Sequence, residues 1–299
     1  MTYLIGEIFA LLTAACWAQN AVFFSLAGKR VSSRTTTHIR LWIALPLIMI
    51  THFFFAGSFF PLHAHLNGYI YLGISGLIGF FIADLLIFES FVKIGPRDTM
   101  LIMTLSPIFG SIFSWLILSE TLKIIHILGI IITITGIAWV ISEEAEDKDI
   151  KSKKKKILGT IIALGGAIGQ AVGLVFSKMG MNYDLHPISA NTIRIAAGFI
   201  GLVLYAYFKN EFKNDFSKMK DKKALGLIAI ASFVGPVLGV VFSLYAVRIA
   251  PVGIVSTLMQ TSPILLLPVD HFYFNKKVTA RAIMGTIIAI AGASLFFLF

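Results

Sequence analysis

Hydrophobic residues along this chain fall into ten long runs: 4–27, 36–56, 68–91, 98–118, 123–141, 157–179, 187–208, 224–247, 252–272 and 279–298. None holds a long polar gap, and none shows the alternation of a half-buried strand. A run of about 20 apolar residues, wound as a helix, spans the hydrocarbon core of a bilayer. A lone helix also satisfies its own backbone in lipid, which an isolated strand does not. The pattern therefore predicts an all-α integral membrane protein with ten transmembrane helices. Most connections are short. Two are longer and charged, 142–156 and 209–223.

The first of these falls at the middle of the chain, and the two sides align. Ile5-Gly6 with Ala10-Leu11 matches Leu158-Gly159 with Ala163-Leu164. Arg40 matches Arg194, Ser106-Pro107-Ile108 matches Ser262-Pro263-Ile264, and Gly129 and Gly136 match Gly285 and Gly292. The offset drifts only from 153 to 156 residues, so the order of the matches indicates a duplication. The expected units are 1–141 and 157–299, each of five helices, with 142–156 as a charged linker. Five is odd, so the second copy must enter the membrane inverted.

Charge tests that inference. Of the 25 Lys and Arg residues, twenty lie in or beside loops 1–2, 3–4, 5–6, 7–8 and 9–10. Loop 2–3 has no basic residue, whereas its repeat partner, loop 7–8, has six lysines. The copies are thus oppositely charged, as inversion requires. Basic loops stay in the cytoplasm, which puts both termini outside. The first run has Glu7 inside it and no basic residue ahead, unlike a cleaved signal peptide.

Composition agrees. The chain is 57% hydrophobic and 13% charged, against about 25% charged in soluble domains, so lipid must cover most of its surface. The net charge of +10 is a property of short loops and predicts no nucleic-acid partner. Cys16 is the single cysteine, so no internal disulfide can form. His38, His52, His63, His65, His126, His186 and His271 are scattered near run ends without metal-ligand spacing, and no metal or cofactor is expected. No P-loop accompanies the runs, which argues against ATP-driven transport by this chain.

Polar groups inside the runs are the candidate substrate contacts. Asp84 lies deep in the third run, where a carboxylate costs about 2.5–3.5 kcal/mol. It serves either as a proton-coupling or cation-recognising site, or as a member of a buried ion pair. Trp17, Gln19 and Asn20 in run 1, Gln170 in run 6, Thr104 in run 4, and Tyr245 and Gln260 in runs 8 and 9 offer rings, amides and hydroxyls to a ligand. Interhelical hydrogen bonding is the alternative for each. Pro107 and Pro263 occupy matching places and are candidate hinges, or kinks without a transport role. Arg40 and Arg194 could clamp a carboxylate or phosphate. Snorkelling, or pairing with a helix end, suits their place near helix starts better. Glycines at 73, 76 and 79, at 165, 166, 169 and 173, and at 235 and 239 lie along helix faces and predict close helix packing.

The early Gly6-x3-Ala10, the paired arginines, Ser106 and Ser262 before proline, and Leu118-Ser119-Glu120 ahead of Gly129 and Gly136 resemble the ten-helix EamA-type members of the drug/metabolite transporter superfamily. The resemblance covers almost the whole chain and departs at Lys276, which matches Glu120. It implies a carrier of amino acids, other metabolites, nucleotide-sugars or drugs, with a cavity lined by the first, third and fourth helices of each half. It also implies cytoplasmic termini, against the loop charges. Together these features predict a secondary transporter of small polar or amphipathic metabolites, working by alternating access in the plasma (inner) membrane. The expected partners are a small-molecule substrate and the bilayer, and the chain is compatible with a monomer or a homodimer. An intramembrane enzyme or a non-transporting scaffold are the competing classes.

Overall fold

The computed structural model describes residues 2–118, 124–143, 150–210, 212–249, 258–259, 261–275 and 277–298. Among them every regular element is helical. α1 (Thr2–Val31) turns at a single residue, Ser32, into α2 (Ser33–Ala56). Ser32 takes φ 82°, and its hydroxyl accepts from the Thr35 amide, capping α2. α2 stops at Gly57, whose φ of 71° closes the last turn on the Phe53 carbonyl.

α3 is one continuous helix in three stretches: Leu66–Gly76, a π-helical Leu77–Ala83, and Asp84–Lys93. Next come α4 (Pro96–Met103), α5 (Ser106–Leu118) and α6 (Ile124–Glu143). The second side of the chain supplies α7 (Ile150–Met181), α8 (Pro187–Phe208) and the short α9 (Phe212–Lys218). α10 repeats the architecture of α3: Lys222–Phe233, a π-helical Val234–Gly239, and Val240–Ile249. α11 (Ser262–Phe272) and α12 (Ala280–Leu298) complete the chain.

Among the described residues, six helices are long and apolar enough to cross a membrane: Leu4–Val31, Ser33–Ala56, Leu66–Lys93, Lys153–Met181, Pro187–Phe208 and Lys222–Ser243. Ile127–Val140 and Ala280–Leu295 are shorter apolar helices. Two differences from the apolar pattern have physical reasons. Run 98–118 is split, because helix α4 ends at Met103 and α5 starts afresh just before Pro107, which has no amide hydrogen to continue a ladder. The second half of the predicted linker is helical, since α7 begins at Ile150. Lysine is a good helix former, so the run 153–156 extends the span as an exposed helix.

Packing pairs the two sides of the chain. α1 lies along α10, and α7 lies along α3; α1 touches α11, and α7 touches α5; α2 packs on α8, α4 on α11, and α6 on α12. The α6–α12 contact is reciprocal. A Cβ on Gly136 would fall 2.7 Å from the Gly285 carbonyl, and one on Gly292 would fall 2.9 Å from the Gly129 carbonyl. Only glycine allows the two backbones this near. The largest apolar cluster centres on α1, where Phe24 stacks on Phe88 of α3 at 4.6 Å.

A buried charged cluster where four helices meet

Arg40 sits on the third turn of α2, about 10 Å along the helix from Ser33 at 1.5 Å per residue. That depth is too great for a first-turn pairing. Its Nη1 donates to Oδ2 of Asp84 on α3, and the two residues are only 8% and 5% exposed. Gln170 on α7 completes the contact: its Nε2 donates to Asp84 Oδ1 at 3.0 Å and to the Gly79 carbonyl at 3.3 Å. The π stretch prepares this meeting. The Asp84 amide reaches back five residues to the Gly79 carbonyl, and Asp84 is the first residue beyond the wide turn. Of the two roles open to Asp84 in the sequence, the ion pair is present. Arg40 is its partner and does not snorkel.

Arg194, the repeat mate of Arg40, approaches from α8. Its Nε donates to Ser75 Oγ on α3 at 2.8 Å, and Ser75 in turn donates to the Gly173 carbonyl of α7. Both guanidinium groups lie over the ring of Phe80, Arg40 at 5.6 Å and Arg194 at 5.0 Å from its centroid. Arg40 also faces Phe24 and Phe88 at 5.7 and 5.4 Å. Aromatic faces attract cations most where water is excluded. One carboxylate and two guanidiniums thus share a site built by α2 and α3 from one side of the chain and α7 and α8 from the other.

The remaining candidates are spread more widely. Trp17 and Asn20 line the seam of α1 with α10, against Gly239 and Gly235. The amide of Gln19 and Asn20 Oδ1 are buried without a hydrogen-bond partner among the described residues. Tyr245 is 45% exposed and stacks on Phe9 at 5.8 Å. Thr104 is buried at the break after α4, its hydroxyl bonded to the Leu101 carbonyl. Pro107 is the second residue of α5, and Pro263 begins α11 beside Ser262, which donates to the Ala14 carbonyl of α1 at 3.0 Å. Both prolines therefore stand at helix starts, where a missing amide hydrogen costs nothing. Gln260, Glu120 and Lys276 lie outside the described residues.

Two further clusters escaped the sequence reading. Arg97 on α4 is buried between Asp98, at 2.9 Å, and Asp270 of α11, at 3.3 Å. Asp215 on α9 accepts from Thr35 at 2.6 Å and pairs with His38 Nδ1 at 2.9 Å. Trp42 donates to His38 Nε2 at 3.3 Å, so the imidazole proton sits on Nδ1 and points at Asp215. The adjacent charges Arg97-Asp98 ahead of an apolar run were the available signal for the first. Asp215 carried none, because its partners lie 177 and 180 residues away. Asp215 also borders a cavity of about 740 Å³ with Arg34, Glu89, Lys93, Lys218 and Leu85. The cavity opens among loops 1–2, 3–4 and 7–8 and reaches the residue next to Asp84.

A chain with at least six helices able to cross a membrane, and a charged cluster between them, is a multi-pass membrane protein of the transporter kind. It belongs to the EamA-like transporter family, which matches residues 4–142 and 157–298. It is similar to the "Uncharacterized transporter YvbV" of Bacillus subtilis (strain 168), with 28% identity over 112 residues, which are 37% of this chain and 34% of that protein. The match thus spans about a third of that relative's length. A solved crystal structure, described only as that of a protein, aligns over 98% of this chain and 96% of its own with a TM-score of 0.59 at 15% identity, a likeness of fold alone.

Proposed function

We propose that this protein is a secondary transporter of small polar or amphipathic metabolites, amino-acid-like or drug-like. It works by alternating access between two inverted five-helix halves, residues 1–141 and 157–299, in the plasma (inner) membrane. The observation that carries the reading is Asp84, held by Arg40 of its own half and by Gln170 of the other. Helix packing alone gives no reason to place a carboxylate there, since each such charge costs about 2.5–3.5 kcal/mol in lipid.

The pairing of helices supports the inverted arrangement. Exchanging the halves turns the α1–α10 contact into α7–α3 and the α1–α11 contact into α7–α5, and returns α2–α8 and α6–α12 to themselves. The matching π stretches of α3 and α10 support it too. Rocking of one half against the other would then alternate access to the seam. Asp84 can couple such a motion to protons: once protonated, it no longer holds the Arg40 charge, and the contact that locks α2 to α3 weakens. The cavity beside Leu85 opens at the basic end, which loop charge places in the cytoplasm. The reading is thus of a cytoplasm-facing state with both termini outside.

Purified protein reconstituted into liposomes tests the proposal. Counterflow of a labelled amino acid or amphipathic drug, stimulated by an imposed pH gradient, is expected. Binding without flux across a broad substrate panel would overturn it.

A further inference from the structure

We propose that Arg194 is the recognition residue for a carboxylate group on the transported metabolite, an inference that rests on the carrier reading above and names its substrate class. The argument begins with charge. Arg40 and Arg194 bring two positive charges to the cluster and Asp84 brings one negative. The site therefore carries an excess of one positive charge, and the Arg194 guanidinium that brings it is partly buried. An uncompensated buried charge is strongly unfavourable, and an anion entering the site would remove that penalty.

The repeat says which arginine is available. Asp84 follows the π stretch of α3 directly, and the residue in the same place after the π stretch of α10 is Val240. The second half has lost, or never had, its acid. Arg40 has a carboxylate, whereas Arg194 has only the Ser75 hydroxyl at its Nε, with no carboxylate in ion-pair distance among the described residues. Ser75 stands two residues before the π stretch, as Ser232 does in α10. The mate of the Arg194–Ser75 bond is thus an Arg40–Ser232 bond. It is absent: Arg40 Nε and Ser232 Oγ are both buried and without a partner among the described residues. Arg40 has turned its terminal nitrogens to Asp84 and left that bond unmade. Arg194 keeps its version of the bond, and its terminal nitrogens remain for a ligand.

Gly79 has no side chain in front of Arg194, and a methyl group added there would lie 3.6 Å from Nη2 and 3.9 Å from Gln170 Oε1. A carboxylate at the guanidinium tip would accept its paired N–H groups side by side, the geometry for which arginine is suited. The Phe80 ring beneath both guanidiniums supplies an apolar floor. Arg194 is about 10 Å along α8 from Pro187, and Arg40 about 10 Å along α2 from Ser33, at 1.5 Å per residue. Those helix starts lie at opposite ends of the molecule, so the two cations stand on either side of the middle.

The test measures thermal stabilisation of the purified protein by the proteinogenic amino acids and common mono- and dicarboxylates. Each is compared with its neutral amide and with sodium chloride and inorganic phosphate. Wild type is expected to be stabilised by one or more carboxylates and not by their amides. Arg194→Gln is expected to weaken that response about 10- to 100-fold in apparent affinity, as for loss of a charged hydrogen bond. Arg194→Lys, which keeps the charge but not the fork, should fall between, and Gly79→Ala, which fills the space without a clash, should weaken it as well. Equal stabilisation by amides, chloride or phosphate, an unchanged response in Arg194→Gln, or no carboxylate response across the panel would each overturn the assignment. Flux of neutral metabolites without any carboxylate dependence would remove this inference and leave the carrier intact. Carboxylate binding without flux would do the reverse.

Discussion

Removing the charge on Asp84 should destabilise the protein more than removing the charge on Arg40. In the wild type the cluster holds two guanidiniums and one carboxylate. Asp84→Asn leaves Arg40 and Arg194 with no paired acid among the described residues. The Arg40 and Asp84 side chains are 10% and 7% exposed, so solvent screens little of the loss. Breaking a buried pair from one side costs about 3–5 kcal/mol, and the lower end applies because three aromatic rings still face Arg40. Arg40→Gln should cost less, about 1.5–2 kcal/mol, the lower part of what a hydrogen bond to a charge contributes, because Gln170 still donates to Asp84. The double variant should be milder than the sum of the two by about 2–3 kcal/mol. Equilibrium unfolding in mixed micelles, run as a double-mutant cycle, reads all three. Additive effects, or an Arg40→Gln loss exceeding that of Asp84→Asn, would refute the charge reasoning. The double variant also separates folding from coupling. With its fold restored but its carboxyl gone, it should show no pH-gradient-driven uptake, and unchanged driven uptake would remove Asp84 from the coupling step.

Gly136→Ala and Gly292→Ala should each cost about 1–3 kcal/mol by forcing α6 from α12, whereas Gly73→Ala, with nothing within 4 Å of its added methyl, should be close to neutral; thermal melts of the three decide it. On a Cys16-free background, cysteines at Ser58 and Ser217 should be labelled from opposite sides of the membrane, Ser217 from the cytoplasm, and labelling of both from one side would refute the inverted loops. Burial pushes the Asp215 carboxyl up, but the hydrogen bonds from His38 and Thr35 and the charge of Lys218 outweigh it and hold the pKa below the usual 3.8. A lowered folded-state pKa stabilises above the unfolded value and is lost as pH falls through the folded one. Asp215→Asn should therefore lower the melting temperature at neutral pH, and the difference from wild type should shrink only below pH 3.8.

The six membrane-crossing helices among the described residues were legible in the sequence, because lipid imposes a length and a polarity on each. The glycines that mark the repeat were legible too: Gly136 faces Gly285, and Gly292 faces Gly129, across α6 and α12. The cluster was half legible. Asp84 and Gln170 stood out as polar groups in apolar runs, and they do touch. Arg40 was misjudged because run 36–56 placed it near a helix start, whereas α2 begins at Ser33 and carries Arg40 into its third turn. Ser75, Ser232 and Phe80 gave no signal, since small polar and aromatic residues are common in membrane helices. The π stretches were hidden as well. Pro236 hints at one in α10, but α3 forms its own without a proline.

A π turn holds an extra residue compared with an α turn. Were α3 to surrender it and wind regularly, everything beyond Ala83 would swivel by about 100°, the angle one residue subtends in an α-helix. Asp84 would then leave Arg40 without either helix changing its tilt. The wide turn thus marks the place in α3 where a slip of one residue would uncouple a charge.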